Sequence, residues 1–275
     1  MDRRPPGRGR PRCRSAGVGP VCRGRGPGAR ARRAGVALGA EPWAHTNPAA
    51  RAGLTERRLG LQASEAFGLD ELRLASFAAA APTPLGVAGL SARTYGFSER
   101  RETRVALGLA RALPLSASRQ LDVGVTVGYE SASTEGHGTA GAVLLAVGVQ
   151  AALVPGLRGG LAARNLLGLG RGDEADLRLS AATVPGVTAG LAYAPSESAV
   201  LVLDADHDVD FGLSVRAGAE VFPVRALALR AGVSTGPTRA TAGVGVRLGG
   251  LRADVAVETH ASLGLTPAVG VGVAF

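Results

Sequence analysis

Across most of this chain, apolar residues recur at every second position, and the face they define is stripped of charge. Separating the two faces of seven well-bounded segments (103–110, 121–129, 211–221, 227–235, 241–248, 251–259 and 269–275) makes the bias plain. The apolar face offers 33 positions with no charged residue, whereas the other, with Glu130 counted at the end of 121–129, offers 29 positions with 10. In 121–129, for example, Leu121, Val123, Val125, Val127 and Tyr129 oppose Asp122, Gly124, Thr126 and Gly128. A period of two places alternate side chains on opposite faces of a strand. A soluble sandwich also wants one apolar face, but so complete a purge is what lipid demands. Arg or Lys facing lipid at the midplane costs about 2–4 kcal/mol.

Connection lengths supply an independent test. Counting back from the end, 260–267 is long, Gly249-Gly250 is a two-residue hairpin turn, 235–239 is longer, and 223–225 is short. The order continues through 204–210 (long), 195–198 (short), 168–186 (long) and 155–156 (short). Such alternation is the pattern of outer-membrane barrels, with tight turns at one rim and loops at the other. The expected strands are 57–63, 72–80, 85–97, 103–112, 120–130, 140–153, 157–167, 187–194, 199–204, 211–222, 226–234, 240–248, 251–259 and 268–275. This predicts an all-β fold, a closed antiparallel transmembrane β-barrel of fourteen strands, with both ends at the periplasmic rim. Closure is physically required, because an open edge in lipid leaves backbone amides unsatisfied at several kcal/mol each. The final strand, with Val269, Val271 and Val273 leading into Phe275, is expected to close the ring and to act as a C-terminal β-signal for the barrel-assembly machinery. Tyr95, Phe97, Tyr129, Tyr193, Phe211, Phe222 and Phe275 are the candidates for aromatic girdles.

The formal charge of +9 suggests a nucleic-acid partner until it is located. Eleven of the 31 basic residues and one of the 22 acids lie in residues 1–33, which therefore carry +10 and leave −1 for the rest. This Arg/Gly/Pro-rich head has almost nothing to bury. It reads as a wrongly assigned start that displaces a signal sequence, ahead of an RNA-binding tail or an arm for anionic lipid. Both cysteines, Cys13 and Cys22, fall within it, so the body has neither disulfide nor thiol ligand. No apolar run is long enough for a membrane-spanning helix.

Of the polar features outside that head, "DADHDVD" (204–210) places four carboxylates around His207 but lacks an EF-hand spacing, and it reads as a solvated external loop. His45, His137, His207 and His260 show no zinc-ligand spacing. No Gly-rich stretch sits at a strand-to-helix turn, and no Ser/His/Asp set has a nucleophile context. The chain is therefore expected not to be an enzyme, and no metal or cofactor is expected. Ten charges are expected to face the lumen: Arg104, Asp122, Glu130, Arg216, Glu220, Arg230, Arg247, Arg252, Asp254 and Glu258. Five of each sign suggest cross-strand pairing rather than a filter of one charge.

Residues 34–54, "AGVALGAEPWAHTNPAARAGL", resemble the segment that follows the signal peptide in FadL-type fatty-acid transporters and in PorV/PorQ-type proteins associated with type IX secretion. The resemblance rests on Glu41, Trp43 and the tripeptide Asn47-Pro48-Ala49. The stretches "LAYAPSESAVLVLDAD", "VRAGAEVFPVRALALRAGVSTGP" and "GVGVRLGGLRADVAVETH" are also similar to the PorV/PorQ type. Beyond the head at 1–33, the resemblance implies a plug at 34–56 and a barrel at 57–275. It further implies an outer-membrane location, outer-membrane lipid around the barrel, and a non-enzymatic accessory role in secretion with cargo or secretion proteins as partners. A FadL-like passive transporter of hydrophobic small molecules is the alternative, and a soluble RNA-binding protein is the third reading.

Overall fold

The computed structural model describes residues 36–38, 47–116, 119–136, 138–167, 169–171, 184–210 and 212–275. Residues 1–33, Glu41, Trp43, His45, His137 and Phe211 lie outside them. Among the described residues there are fifteen strands: β1 Arg58–Glu65, β2 Arg73–Thr83, β3 Gly86–Gly96, β4 Arg100–Pro114, β5 Gln120–Thr134, β6 Gly138–Val154, β7 Leu157–Arg164, β8 Leu169–Arg171, β9 Gly186–Ser196, β10 Ala199–Asp208, β11 Gly212–Val224, β12 Leu227–Ser234, β13 Arg239–Leu248, β14 Leu251–His260 and β15 Gly264–Ala274. All pairings are antiparallel, and all join sequence neighbours except three, β7 with β9, β6 with β8 and β1 with β15. Fourteen strands thus form a closed ring. The short β8 lies outside it and pairs with Gly141–Val143 of β6.

The ring closes where the alternation in the last strand requires it. β15 pairs with β1 from Ala274 opposite Arg58 through Ala268 opposite Ser64. Arg57 and Phe275 exchange two backbone hydrogen bonds, both 3.1 Å. The terminal residue is therefore tied on both its amide and its carbonyl, which removes the frayed end of an open edge. Gly249, at φ 59°, begins the Gly249-Gly250 turn between β13 and β14. Positive φ at that place gives the twist a two-residue hairpin needs.

Leu107, Val127, Val215, Val255 and Val269 all point outward and stay well exposed, Leu107 at 65% and Val255 at 62%. A belt of exposed Leu and Val around a closed ring would collapse or aggregate in water and is stable only in hydrocarbon. The long strands β4, β5 and β6 rise above the belt, where their outward positions turn polar: Arg101 and Thr103, Ser131 and Ser133, and Thr139.

Several expectations are corrected. The two rims differ less than their predicted loops. At the Phe275 rim the turns at 84–85, 155–156, 197–198, 225–226 and 249–250 have two residues, and only 115–119 is longer. At the opposite rim 97–99, 135–137, 209–211, 235–238 and 261–263 are nearly as tight, leaving 66–72 and 165–185 as the long connections. The "DADHDVD" run is not a loop, because β10 continues through Asp208 and points Asp204 and Asp206 into the ring, where both are buried. Tyr95 and Phe222 belong to no girdle. Tyr95 shares the inward parity of Gly89 and Arg93, and Phe222 that of Arg216 and Glu220. The expected strand 157–167 breaks at Asn165, whose φ of 55° turns the chain away from β9 and toward β8.

Candidate functional site: a chain segment held inside the ring

Residues 36–38 and the 3-10 turn Pro48–Gly53 lie within the lumen against β3 to β10. They stand on a floor of glycines made by strand register. Gly89 faces Gly108, Gly124 faces Gly148, and Gly160 faces Gly190, each pair directly opposed across neighbouring strands. A Cβ on Gly160 would lie 2.5 Å from the Val36 carbonyl oxygen, and one on Gly124 would lie 2.5 Å from the Ala49 nitrogen. A Cβ on Gly89 would fall 2.5 Å from Arg51 Nε. Glycine is needed here for close approach, since any side chain would occupy the volume the segment fills.

Polar contacts fix the segment on that floor. The Val36 amide donates to both carboxylate oxygens of Asp204, at 3.2 Å each. Asn47 is fully buried and uses all of its side chain's functional groups. Its Nδ2 donates to the Val36 carbonyl (2.7 Å) and to the Val149 carbonyl of β6 (3.1 Å), while its Oδ1 accepts from the Ala49 amide (2.9 Å). That last bond caps the 3-10 turn, with Pro48 at its first position. Extended geometry at Asn47, favoured before proline, aims the side chain back at its own turn. Gln150 Nε2 reaches the Ala49 carbonyl and Asp122 Oδ2, both at 3.3 Å. Arg51, only 2% exposed, donates to Thr126 Oγ1 at 3.2 Å.

Two apolar clusters sit between segment and wall. Leu38 and Ala37 meet Ala192, Val200 and Val202, and Leu54 meets Ala80 and Val87. Behind Val36, the wall of Gly160 and Gly190 also borders a groove of about 670 Å³ on the lipid side, lined by Leu161, Leu191, Leu203 and Val215.

The ten charges singled out from sequence all occupy inward positions, partly or fully buried, in several local networks. Arg230 bridges Glu220 and Asp254 at 2.7 Å each, and Arg252 Nε adds a contact to Asp254 at 2.9 Å. Glu130 lies 2.9 Å from Arg93 and 3.8 Å from Arg104. Arg158 pairs with Asp122 at 2.8 Å, Arg239 with Glu258 at 2.7 Å, and Arg216 with Asp206 at 2.7 Å. Arg247 stands directly across from Arg252. Asp206 also binds Arg164 at 2.5 Å and accepts from the Thr188 hydroxyl. Charges this enclosed persist because each carboxylate has a guanidinium within reach.

Of the motif residues, Asn47, Pro48 and Ala49 come together in the capped turn, and Val269, Val271 and Val273 lie on the outer face beside Phe275. Sequence reasoning missed Arg51, Asp204, Asp206 and Gln150. For the aspartates the signal was present: their parity continues that of Val200 and Val202, so strand β10 carries them to the inner face. No group of His, Cys, Asp and Glu among the described residues is arranged to hold a metal.

No protein-family model and no curated protein sequence matches this chain. Solved structures do. The CymD monoaromatic hydrocarbon channel superposes with a TM-score of 0.61 at 10% identity, over 88% of this chain and 94% of that one. A Pseudomonas aeruginosa FadL homologue gives 0.60 at 12% identity, over 90% and 96%. The outer-membrane protein Omp33 of Acinetobacter baumannii gives 0.54 at 9% identity, over 80% and 98%. Identities this low establish the fold alone. Taken with the closed ring and its exposed apolar belt, they make this chain an outer-membrane β-barrel that shares its fold with these three proteins.

Proposed function

We propose that the chain is a passive outer-membrane channel for small hydrophobic molecules, with residues 34–56 acting as its plug. The observation that carries this reading is the pairing of apolar side chains along the seam between segment and wall: Leu38 with Val200 and Val202, and Leu54 with Val87. An apolar solute can slide between such surfaces without desolvating a polar group, whereas a sugar would have to give up its hydration there. The fold shared with the CymD hydrocarbon channel supports the same reading. The lumenal ion pairs, balanced in sign, fit a wall that holds the plug and favours neither cations nor anions. A secretion accessory that presents cargo was the leading expectation from sequence. The neighbours described above are channels and outer-membrane barrels, which favours transport, and the finer PorV/PorQ resemblance has no support beyond the sequence. Insertion through the barrel-assembly machinery, reading Phe275 and the valines before it, belongs to the same proposal.

The test is uptake into proteoliposomes. Monoaromatic and short-chain aliphatic probes should enter faster than into protein-free vesicles, while sugars should cause no osmotic swelling. Swelling in sugars with no gain for apolar probes would refute the proposal and mark a general porin.

A further inference from the structure

Arg111 breaks the rule that empties the outer wall of charge. Along β4 the odd-numbered residues point outward, Val105, Leu107 and Leu109 among them, and Arg111 follows, exposed on that face. Among the described strand residues, it is the one charged side chain aimed outward in the half of the wall nearer the Phe275 rim. Register fixes its depth. The outward pairs of β4 and β5 run from Val105 opposite Tyr129, through Leu107–Val127 and Leu109–Val125, to Arg111–Val123 and Leu113–Leu121. Thr103 opposite Ser131 ends the apolar run on the far side. At the Phe275 rim Leu113–Leu121 is its last pair, because the next outward step sets Arg119 beside Leu115, whose amide donates to the Arg119 carbonyl at 2.9 Å. Arg111 therefore sits one outward position inside the Leu113–Leu121 pair, and Arg119 one outward position beyond it.

Four residues of strand at about 3.4 Å each, tilted by about 35–45°, set these two levels about 10–11 Å apart along the barrel axis. An arginine just inside the hydrocarbon lays its methylene stem on apolar neighbours and turns its guanidinium toward the headgroups. Gly86, where a Cβ would lie 3.3 Å from the Arg111 Cβ, presents no side chain on the β3 flank of that stem. Arg111 thus approaches the headgroup layer from the hydrocarbon side and Arg119 from the water side, over one apolar pair. We propose that Arg111 and Arg119 clamp the phosphate of an anionic phospholipid against the Leu113–Leu121 pair, on the outside of the barrel. The Phe275 rim, with five turns of two residues, has the tight connections of a periplasmic end, and the leaflet there is phospholipid. Guanidinium forks pair with two phosphate oxygens at once. Two cations at one headgroup favour a lipid of net negative charge over a zwitterion, whose ammonium offsets its own phosphate. The site lies outside the ring and does not depend on which solute crosses it.

The test uses the full chain refolded in nonionic detergent micelles, with a phosphatidylglycerol analogue that carries a photoreactive group on its headgroup. Labelled peptides are mapped by mass spectrometry, so lipid held by residues 111–121 is read apart from any held by the Arg-rich head. Residues 111–121 should be labelled, unlabelled phosphatidylglycerol should compete, and phosphatidylcholine should not. R111Q and R119Q should each weaken half-saturation about fivefold, and both should keep the heat-modifiable gel shift. R73Q removes an outward arginine that already meets Glu65 at 3.5 Å and also Asp70, and should label as the parent does. Labelling of 111–121 that is unchanged in R111Q/R119Q, or that phosphatidylcholine competes equally well, overturns the site, as does a folded parent left unlabelled there.

Discussion

Replacing Asn47 by Ala tests whether the lumenal segment is held by the contacts described here. Three hydrogen bonds vanish: Nδ2 to the Val36 carbonyl (2.7 Å), Nδ2 to the Val149 carbonyl (3.1 Å), and the Ala49 amide to Oδ1 (2.9 Å). Loss of the cap costs about 1 kcal/mol. A buried partner left without its bond costs about 1–3 kcal/mol, and the Val36 carbonyl is such a partner. The segment should therefore lose about 2–4 kcal/mol of docking free energy, which changes the docked-to-undocked ratio by roughly 30- to 700-fold. None of these bonds joins two strands of the ring, so barrel stability should change much less. The assay is single-channel conductance in a planar bilayer, with the heat-modifiable gel shift as a check on the ring. Asn47→Ala should show long open events in a barrel that still shifts normally. Asn47→Asp keeps the Oδ1 acceptor and the cap but loses both donors, so it should fall between the parent and Asn47→Ala. A folded Asn47→Ala barrel with the parent's conductance would refute the account of Asn47 as the anchor.

Other perturbations probe other parts of the structure. Gly160→Val forces a side chain into the position of the Val36 carbonyl, and should cost about 1–3 kcal/mol of segment docking and raise conductance without removing the gel shift. Val125→Arg puts a charge on the lipid face of β5 and should lower folding stability in vesicles by about 2–4 kcal/mol in urea titrations. Arg230→Ala leaves Glu220 and Asp254 buried without their shared cation, and should destabilise the barrel by about 3–5 kcal/mol by the same titration. Deleting Phe275 removes both backbone bonds with Arg57, so the truncated chain should fold more slowly into vesicles and lose its gel shift at a lower temperature.

The strand count and the inward or outward aim of most side chains were legible in the chain itself. Period-two alternation is a local property, and lipid punishes any outward charge regardless of what lies across the barrel. The same logic misled at "DADHDVD". A run of carboxylates looks solvated when read alone, but Arg164, Arg216, the Thr188 hydroxyl and the Val36 amide, supplied by other segments, make Asp204 and Asp206 stable inside. Tyr95 and Phe222 misled for the converse reason, since an aromatic residue near a strand end fits a girdle until register fixes its face.

The sequence by itself therefore determined a membrane barrel of fourteen strands, its closing strand and the charged character of its interior, because these follow from repeated, residue-by-residue costs of burial. Tertiary structure alone decided which charges meet. It also paired the glycines opposite one another as a floor, Gly89 with Gly108, Gly124 with Gly148 and Gly160 with Gly190, and pinned Asn47 and Val36 above them. Those outcomes depend on strand register and on contacts between residues as far apart as Val36 and Asp204, and no local pattern encodes a distance across the lumen.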